Sequence, residues 1–327
     1  MVFRWLIAVL LFSVSACIDS PSNAAPDAGL KRIALTYDDA PLGAGPRYAG
    51  DERTDALIAQ LDRAESGPVA IFVTTKGLDL PDGVARINAY AAAGHLIANH
   101  SDQHVWASRT PTNDYIADID QAETKLAPFA NRRPWFRFPF LDEGGQGETN
   151  ADAVRRDALR KALADRDLIS GYVTVDTYDW HLDRLWFQAV RSGADVDMQA
   201  LSQVYVEMVL DAANHYDALG QTVFGRRPAQ VLLLHENDLA ASFSAEMITA
   251  LREDGWQIIH PDEAFADPIV DQLPTTRFSG AGRVAALAAD AGMRGREVFD
   301  HWSASELGIE EKVAAYGAFT PRADGAE

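Results

Sequence analysis

The chain has 327 residues, 47% of them hydrophobic, enough to bury one sizeable core in a domain of about 270 residues with tails. Its formal net charge of −19 repels polyanions, which excludes nucleic acid and anionic lipid surfaces as the main partner. A neutral or weakly charged substrate suits that field better.

Taken in chain order, Arg4 precedes the apolar run 5–12, which is too short to span a bilayer and sits where a signal peptide would. The only cysteine, Cys17, follows Val14-Ser15-Ala16, and this resembles the processing box of bacterial lipoproteins. The expectation is a signal peptide over 1–17, a lipidated Cys17, and an exported, membrane-anchored protein facing the periplasm or cell exterior. The competing reading is an ordinary secretory peptide cut near Ala24-Ala25. On either reading the mature domain has no internal disulfide, so packing or a metal must stabilise it. Residues 18–29, rich in Ser, Pro, Ala and Asp, read as a flexible tether.

Beyond residue 30, short apolar runs alternate with amphipathic ones. The pattern predicts strands over 33–37, 69–73, 95–98, 135–138, 169–175, 231–234 and 256–259. It predicts helices over 53–66, 82–93, 113–129, 150–165, 197–219 and 244–253, the fifth following a loop. Asp114, Asp118 and Asp120 fall in the early turns of the third helix, where the dipole favours acids. Seven β-then-α units whose strands are apolar on both faces favour a parallel sheet, open or closed. That unit spans 30–270. Residues 271–327 form an extension, with a helix over 306–316, packing on or beside it.

The unusual polar residues fall at or just past the C-terminal ends of these strands, the edge where parallel α/β folds bind ligands. The adjacent carboxylates Asp38 and Asp39 repel each other. A cation offsets that, taking one as ligand and leaving its neighbour as a base. Two turn aspartates capping the next helix are the plainer alternative. His100 and His104 are four apart, so a helical turn would set both imidazoles on one face. With Asp39 they make a two-histidine, one-carboxylate set with open positions, as used for catalytic zinc and other divalent metals. Arg137 sits among apolar residues and needs a partner, either a carboxylate such as Asp38 or backbone carbonyls. A carboxylate bonded to His235, from Asp176 or Asp179, would fix its tautomer and raise its basicity, which suits a general acid. Trp180 is either a cleft wall or core.

These residues fall into five segments: Thr36-Tyr37-Asp38-Asp39, His100-Ser101-Asp102-Gln103-His104, Arg137-Phe138-Pro139-Phe140, Asp176-Thr177-Tyr178-Asp179-Trp180 and Leu233-Leu234-His235. In content and order they resemble the motifs of the NodB-type polysaccharide deacetylases, carbohydrate esterase family 4. The resemblance implies an α/β fold, a distorted (β/α)7-type barrel of the NodB homology or glycoside hydrolase–deacetylase kind. It implies metal-dependent removal of N-acetyl groups from a chitin-like or peptidoglycan-like glycan, releasing acetate. Asp38 would be the catalytic base. Asp39, His100 and His104 would hold one divalent metal, zinc first, with cobalt, manganese or nickel suited to the same ligands. Arg137 would orient the base, His235 would be the general acid, and one of Asp176 and Asp179 would hold His235. Trp180 and either Leu233 or Leu234 would shape the acetyl-methyl pocket, with Tyr37 and Phe140 beside it. An acetylated glycan is the implied partner, and no protein partner is implied.

Three positions depart from the family pattern: Tyr37 for the usual Phe, Ala40 for the glycine after the aspartates, and Leu141 where the third segment often has glycine. The long interval 181–228 points to a wall particular to this chain. Two rival readings are an O-acetyl esterase on xylan-like glycans and a catalytically silent glycan-binding lipoprotein.

Overall fold

Strand β1 (Lys31–Ala40) is paired on both flanks, and its residues from Ile33 to Asp38 are buried. Strand alternation sorts its side chains. Tyr37 points to the helical layer, where its hydroxyl meets Ser244 Oγ at 3.1 Å, while Thr36 and Asp38 point inward to Arg137. The computed structural model describes residues 29–145, 149–276, 280–295, 298 and 300–321. The expected signal peptide, Cys17 and the tether up to Ala28 lie outside the described residues.

From β1 the chain alternates helix and strand: α1 (Gly50–Arg63), β2 (Ala70–Val73), α2 (Gly83–Ala92), β3 (Leu96–Asn99), α3 (Thr112–Leu126), β4 (Arg132–Phe136), α4 (Asn150–Ala164) and β5 (Ile169–Ser170). It continues with α5 (Asp179–Arg191), β6 (Asp195–Val196), α6 (Met198–Phe224), β7 (Gln230–His235), α7 (Asp238–Glu253), β8 (Trp256–Ile258) and α8 (Pro261–Ala264). The sheet is parallel, in the order β5-β4-β3-β2-β1-β7, and β8 pairs with the first residues of β1. Each parallel step needs a long crossover, and the helices supply it. Past β5 the chain reaches Val175, which bridges Leu232 of β7 in parallel. The sheet therefore curls round on itself and stays partly open, a distorted barrel. Its main core lies between the sheet and helices such as α1, where Leu57 and Leu61 fall one turn apart. A smaller core under α3 and α4 gathers Tyr115, Ile119, Phe136 and Leu159.

Three elements differ from the sequence pattern. Only Ile169–Ser170 of the expected 169–175 strand pairs with β4. At Gly171 the Phe72 ring comes so near that a Cβ would lie 2.6 Å from it, and the chain leaves the ladder there. The expected loop before α6 opens with helix α5 instead, whose Leu182, Trp186 and Ala189 form a buried stripe at helical spacing. Helix α7 starts at Asp238 rather than 244, with Asn237 Oδ1 accepting the Ala240 amide at 3.0 Å.

The C-terminal segment adds α9 (Gly282–Asp290), α10 (Glu306–Tyr316) and β9 (Phe319–Thr320), which pairs antiparallel with β6. Trp302 Nε1 ties this segment to α6 by donating to Asp211 at 2.9 Å. Among the described residues no helix is long and apolar enough to cross a membrane.

Candidate active site

Neighbours on a regular strand point to opposite faces, yet Asp38 and Asp39 both line one cleft. Asp39 has a φ of 68°, a left-handed turn that brings its carboxylate round. Asp38 Oδ1 accepts from Arg137 Nη1 at 2.6 Å, while its Oδ2 lies 3.6 Å from His100 Nε2. Asp39 Oδ1 lies 3.0 Å from His104 Nε2 and 3.6 Å from His100 Nε2. One ligand atom each from Asp39, His100 and His104 falls within 4.8 Å of the others.

The histidine spacing does not reflect a helix. His100 and His104 lie in a loop after β3, in which Ser101 and His104 have φ of 71° and 54°. Asp118 of α3 holds this loop, its carboxylate accepting the amides of Asp102 at 2.8 Å and Gln103 at 2.9 Å. Ser101 Oγ accepts the His104 amide at 2.9 Å. Asp118 thus serves the loop rather than the helix dipole. His100 Nδ1 lies 2.9 Å from the Arg137 carbonyl oxygen, which only accepts, so Nδ1 carries the proton and Nε2 offers a lone pair. Burial, partly countered by Asp38, pushes His100 down to about 4, leaving the ring neutral near pH 7. Burial alone would raise the Asp39 carboxyl, but the bond and charge of His104 hold it far below its usual range. Neutral imidazole and ionised carboxylate are the forms that bind a divalent cation, so the trio fits one.

Strand β7 pairs Leu233 with Thr36, Leu234 with Tyr37 and His235 with Asp38. Leu233 and His235 therefore face the cleft, whereas Leu234 and Tyr37 turn to the helical layer. Of the five expected pocket residues, Trp180, Leu233 and Phe140 line the cleft, and Tyr37 and Leu234 do not. The choice between Asp176 and Asp179 is geometric. Asp179 Oδ1 lies 2.7 Å from His235 Nδ1, and its Oδ2 accepts the His235 amide and Asn237 Nδ2. Asp176 also lines the cleft, but its Oδ2 has no hydrogen-bond partner among the described residues, and burial pushes its carboxyl well above the usual range. Burial would lower His235, yet the charge and hydrogen bond of Asp179 outweigh it and lift the imidazole to about 10.

The cleft holds about 550 Å³ and has three further walls: Trp106, outside the five segments, and Phe138 and Tyr178, inside them but given no role by the resemblance. The Trp106 ring stacks on Phe140 at 4.1 Å, and Phe140 meets His104 edge-on at 4.6 Å. Phe140 and Leu141 have φ of 59° and 52°, so Leu141 keeps the backbone that glycine adopts freely. Two acids just past His235 also escaped sequence reasoning. Glu236 accepts from Arg86, Tyr90, Thr54 and the Leu42 amide. Asp238 accepts from Arg53 and the amides of Arg47 and Tyr48. Together they pin the loop after β1 to the strand that carries His235. The available signal was three polar residues, Glu236-Asn237-Asp238, directly after an apolar strand.

Fold and site together define a class, a curled parallel α/β barrel with three residues at its strand ends able to hold a divalent metal. The polysaccharide deacetylase family model matches residues 25–159, the stretch carrying Asp38, Asp39, His100, His104 and Arg137. Over that stretch the chain is similar to the polysaccharide deacetylases, in line with the resemblance its five segments carry. No curated protein matches it in sequence. A family 4 pseudoenzyme from Bacillus anthracis is 17% identical, with a TM-score of 0.46 over 70% of this chain and 63% of that one. The chain thus spans a little under two thirds of that protein's length. The family 4 carbohydrate esterase from Streptomyces lividans, in complex with acetate, is 21% identical, with a TM-score of 0.42 over 72% of this chain and 95% of that one. The chitin deacetylase from Colletotrichum lindemuthianum is 18% identical, with a TM-score of 0.47 over 72% of this chain and 88% of that one.

Proposed function

We propose that the protein is a metal-dependent hydrolase that removes N-acetyl groups from an acetylated amino-sugar glycan and releases acetate. The observation that carries this reading is the division of labour in the cleft. Asp38 stands beside the Asp39, His100 and His104 trio without belonging to it, and His235 is held by Asp179. A divalent cation bound by the trio supplies Lewis acidity toward the acetyl carbonyl and lowers the pKa of a water.

The side chains do the rest. Arg137 occupies Asp38 Oδ1, so Oδ2 is the atom that takes the proton of the attacking water. His235, with Nδ1 on Asp179, carries its transferable proton on Nε2 and gives it to the leaving nitrogen. An amine leaves poorly as an anion, which is why the acid is needed. Trp180 and Leu233 offer apolar surface to the acetyl methyl. Asp176 also lines the cleft, its carboxyl pushed well above the usual range by burial.

The test is acetate release from chitooligosaccharides and from peptidoglycan fragments, with and without chelator. Release that chelator abolishes supports the reading, and its absence on every acetylated glycan, alongside tight glycan binding, would favour a silent binding protein. An ester departs with less help from an acid. His235→Ala should therefore impair amide turnover far more than ester turnover, and equal losses would point to an O-acetyl esterase. The proposal includes export and anchoring through a lipidated Cys17, which Cys17→Ser tests by release of the protein from the membrane fraction.

A further inference from the structure

The two imidazoles of the trio are held by different means. His100 is fixed by a hydrogen bond, its Nδ1 lying 2.9 Å from the Arg137 carbonyl oxygen. His104 has Nε2 beside Asp39 Oδ1 at 3.0 Å, and its Nδ1 makes no hydrogen bond among the described residues. The His104 side chain is 18% exposed, so water reaches it, but exchanging water sets no ring angle. A cation needs a lone pair aimed at one point. A ring free to turn about its last torsion loses affinity, because binding must freeze it.

Ring packing stands where the hydrogen bond is missing. The His104 ring meets Phe140 edge-on at 4.6 Å and His100 edge-on at 5.1 Å. Phe140 is backed in turn by Trp106, parallel within 3° at 4.1 Å, and the Arg109 guanidinium lies 4.5 Å from the centre of the Trp106 ring. A row of side chains thus runs from exposed Arg109 through two aromatic rings to a member of the trio. His104, Trp106 and Arg109 follow β3, whereas Phe140 follows β4. Asp142, wholly buried, ties the two segments together by accepting the Ser108 amide at 2.8 Å.

Phe140 is an unlikely residue for its place on structural grounds. Its φ of 59° suits glycine better than a bulky side chain, and it is 39% exposed, so its ring does little to fill the core. Backbone held in such a conformation persists where surrounding contacts demand it, and the contacts here are Trp106 and His104.

We propose that Phe140 and Trp106 are positioning residues for the metal: stacked on one another, they hold the His104 imidazole at the angle from which Nε2 meets a cation beside Asp39. The inference rests on the metal-dependent reading of the trio and on nothing about the glycan.

The experiment measures zinc affinity of the full-length apoprotein by competition with a chromophoric chelator, beside its metal-free melting temperature. Trp106→Ala and Phe140→Gly should each bind zinc about 10–100-fold more weakly, the usual cost of losing a support behind a metal ligand. Phe140→Gly separates positioning from structure. Glycine takes a φ of 59° without strain, so the metal-free melting temperature should fall little while affinity drops. Trp106→Phe keeps a stacked ring and should recover most of the affinity. Wild-type zinc affinity in Phe140→Gly overturns the proposal, and so does a loss in Trp106→Phe as large as in Trp106→Ala. Affinity that falls only in step with the melting temperature marks both rings as structural and overturns it too. If Trp106→Ala does not fold, Phe140→Gly and Trp106→Phe decide the matter. Absence of zinc binding in the wild type would instead sink the metal-dependent reading, and this inference with it. No turnover is involved, so the acetate-release assay stands apart.

Discussion

Two neighbouring aspartates do different work because one backbone angle separates them. Asp39 turns through a left-handed conformation toward His104, while Asp38 stays in strand register facing Arg137. Asp38→Asn should therefore lower turnover roughly 10²–10⁴-fold, the usual worth of a general base, without loss of bound metal by elemental analysis. His104→Ala should do the opposite and lose metal on dialysis. The Asp179 and His235 pair predicts a pH effect. The imidazole is raised from 6.5 to about 10 in the folded protein, so its stabilisation is complete below pH 6.5 and is lost as pH rises through about 10. The melting temperature of chelated protein should fall between pH 7 and 10, and Asp179→Asn should flatten that fall. If the variant melts with the wild-type slope, the pair does not carry the effect.

At the scale of elements, the loop bearing both histidines depends on a helix that carries neither. Asp118 of α3 accepts two of its amides. Asp118→Ala should strand those donors at a cost of about 1–3 kcal/mol and weaken metal binding by about 10–100-fold. Competition with a chromophoric chelator reads the second effect. The histidines were legible in the sequence, but their local structure was not, since a four-residue spacing fits a helical turn and a kinked loop equally. What decides between them is Asp118, which is distant in sequence and looked like an ordinary helix acid. Asp176 and Asp179 were indistinguishable for a similar reason. Both flank a strand end, and only the register of β7 shows which one reaches His235. Helix α5 was legible in its Leu182, Trp186 and Ala189 stripe. The length of the interval around it masked that stripe.

At the scale of the molecule, alternating apolar and amphipathic runs announced a parallel sheet, but not its curl. The curl depends on Gly171 admitting the Phe72 ring and on Val175 reaching β7, contacts without a local sequence pattern. The buried acids after β7 set much of the global stability. Glu236→Gln leaves Arg86 in the interior without its carboxylate, which should cost roughly 3–5 kcal/mol, read as a lowered urea midpoint.

The stretch from His235 to Asp238 serves four separate clients in four successive positions: the cleft, the first two helices, the cap of α7 and the loop after β1. Such a stretch tolerates exchange of one side chain better than a change of phase. A single-residue insertion there would hand every anchor to the wrong client at once, making this short turn the place where length is most tightly fixed.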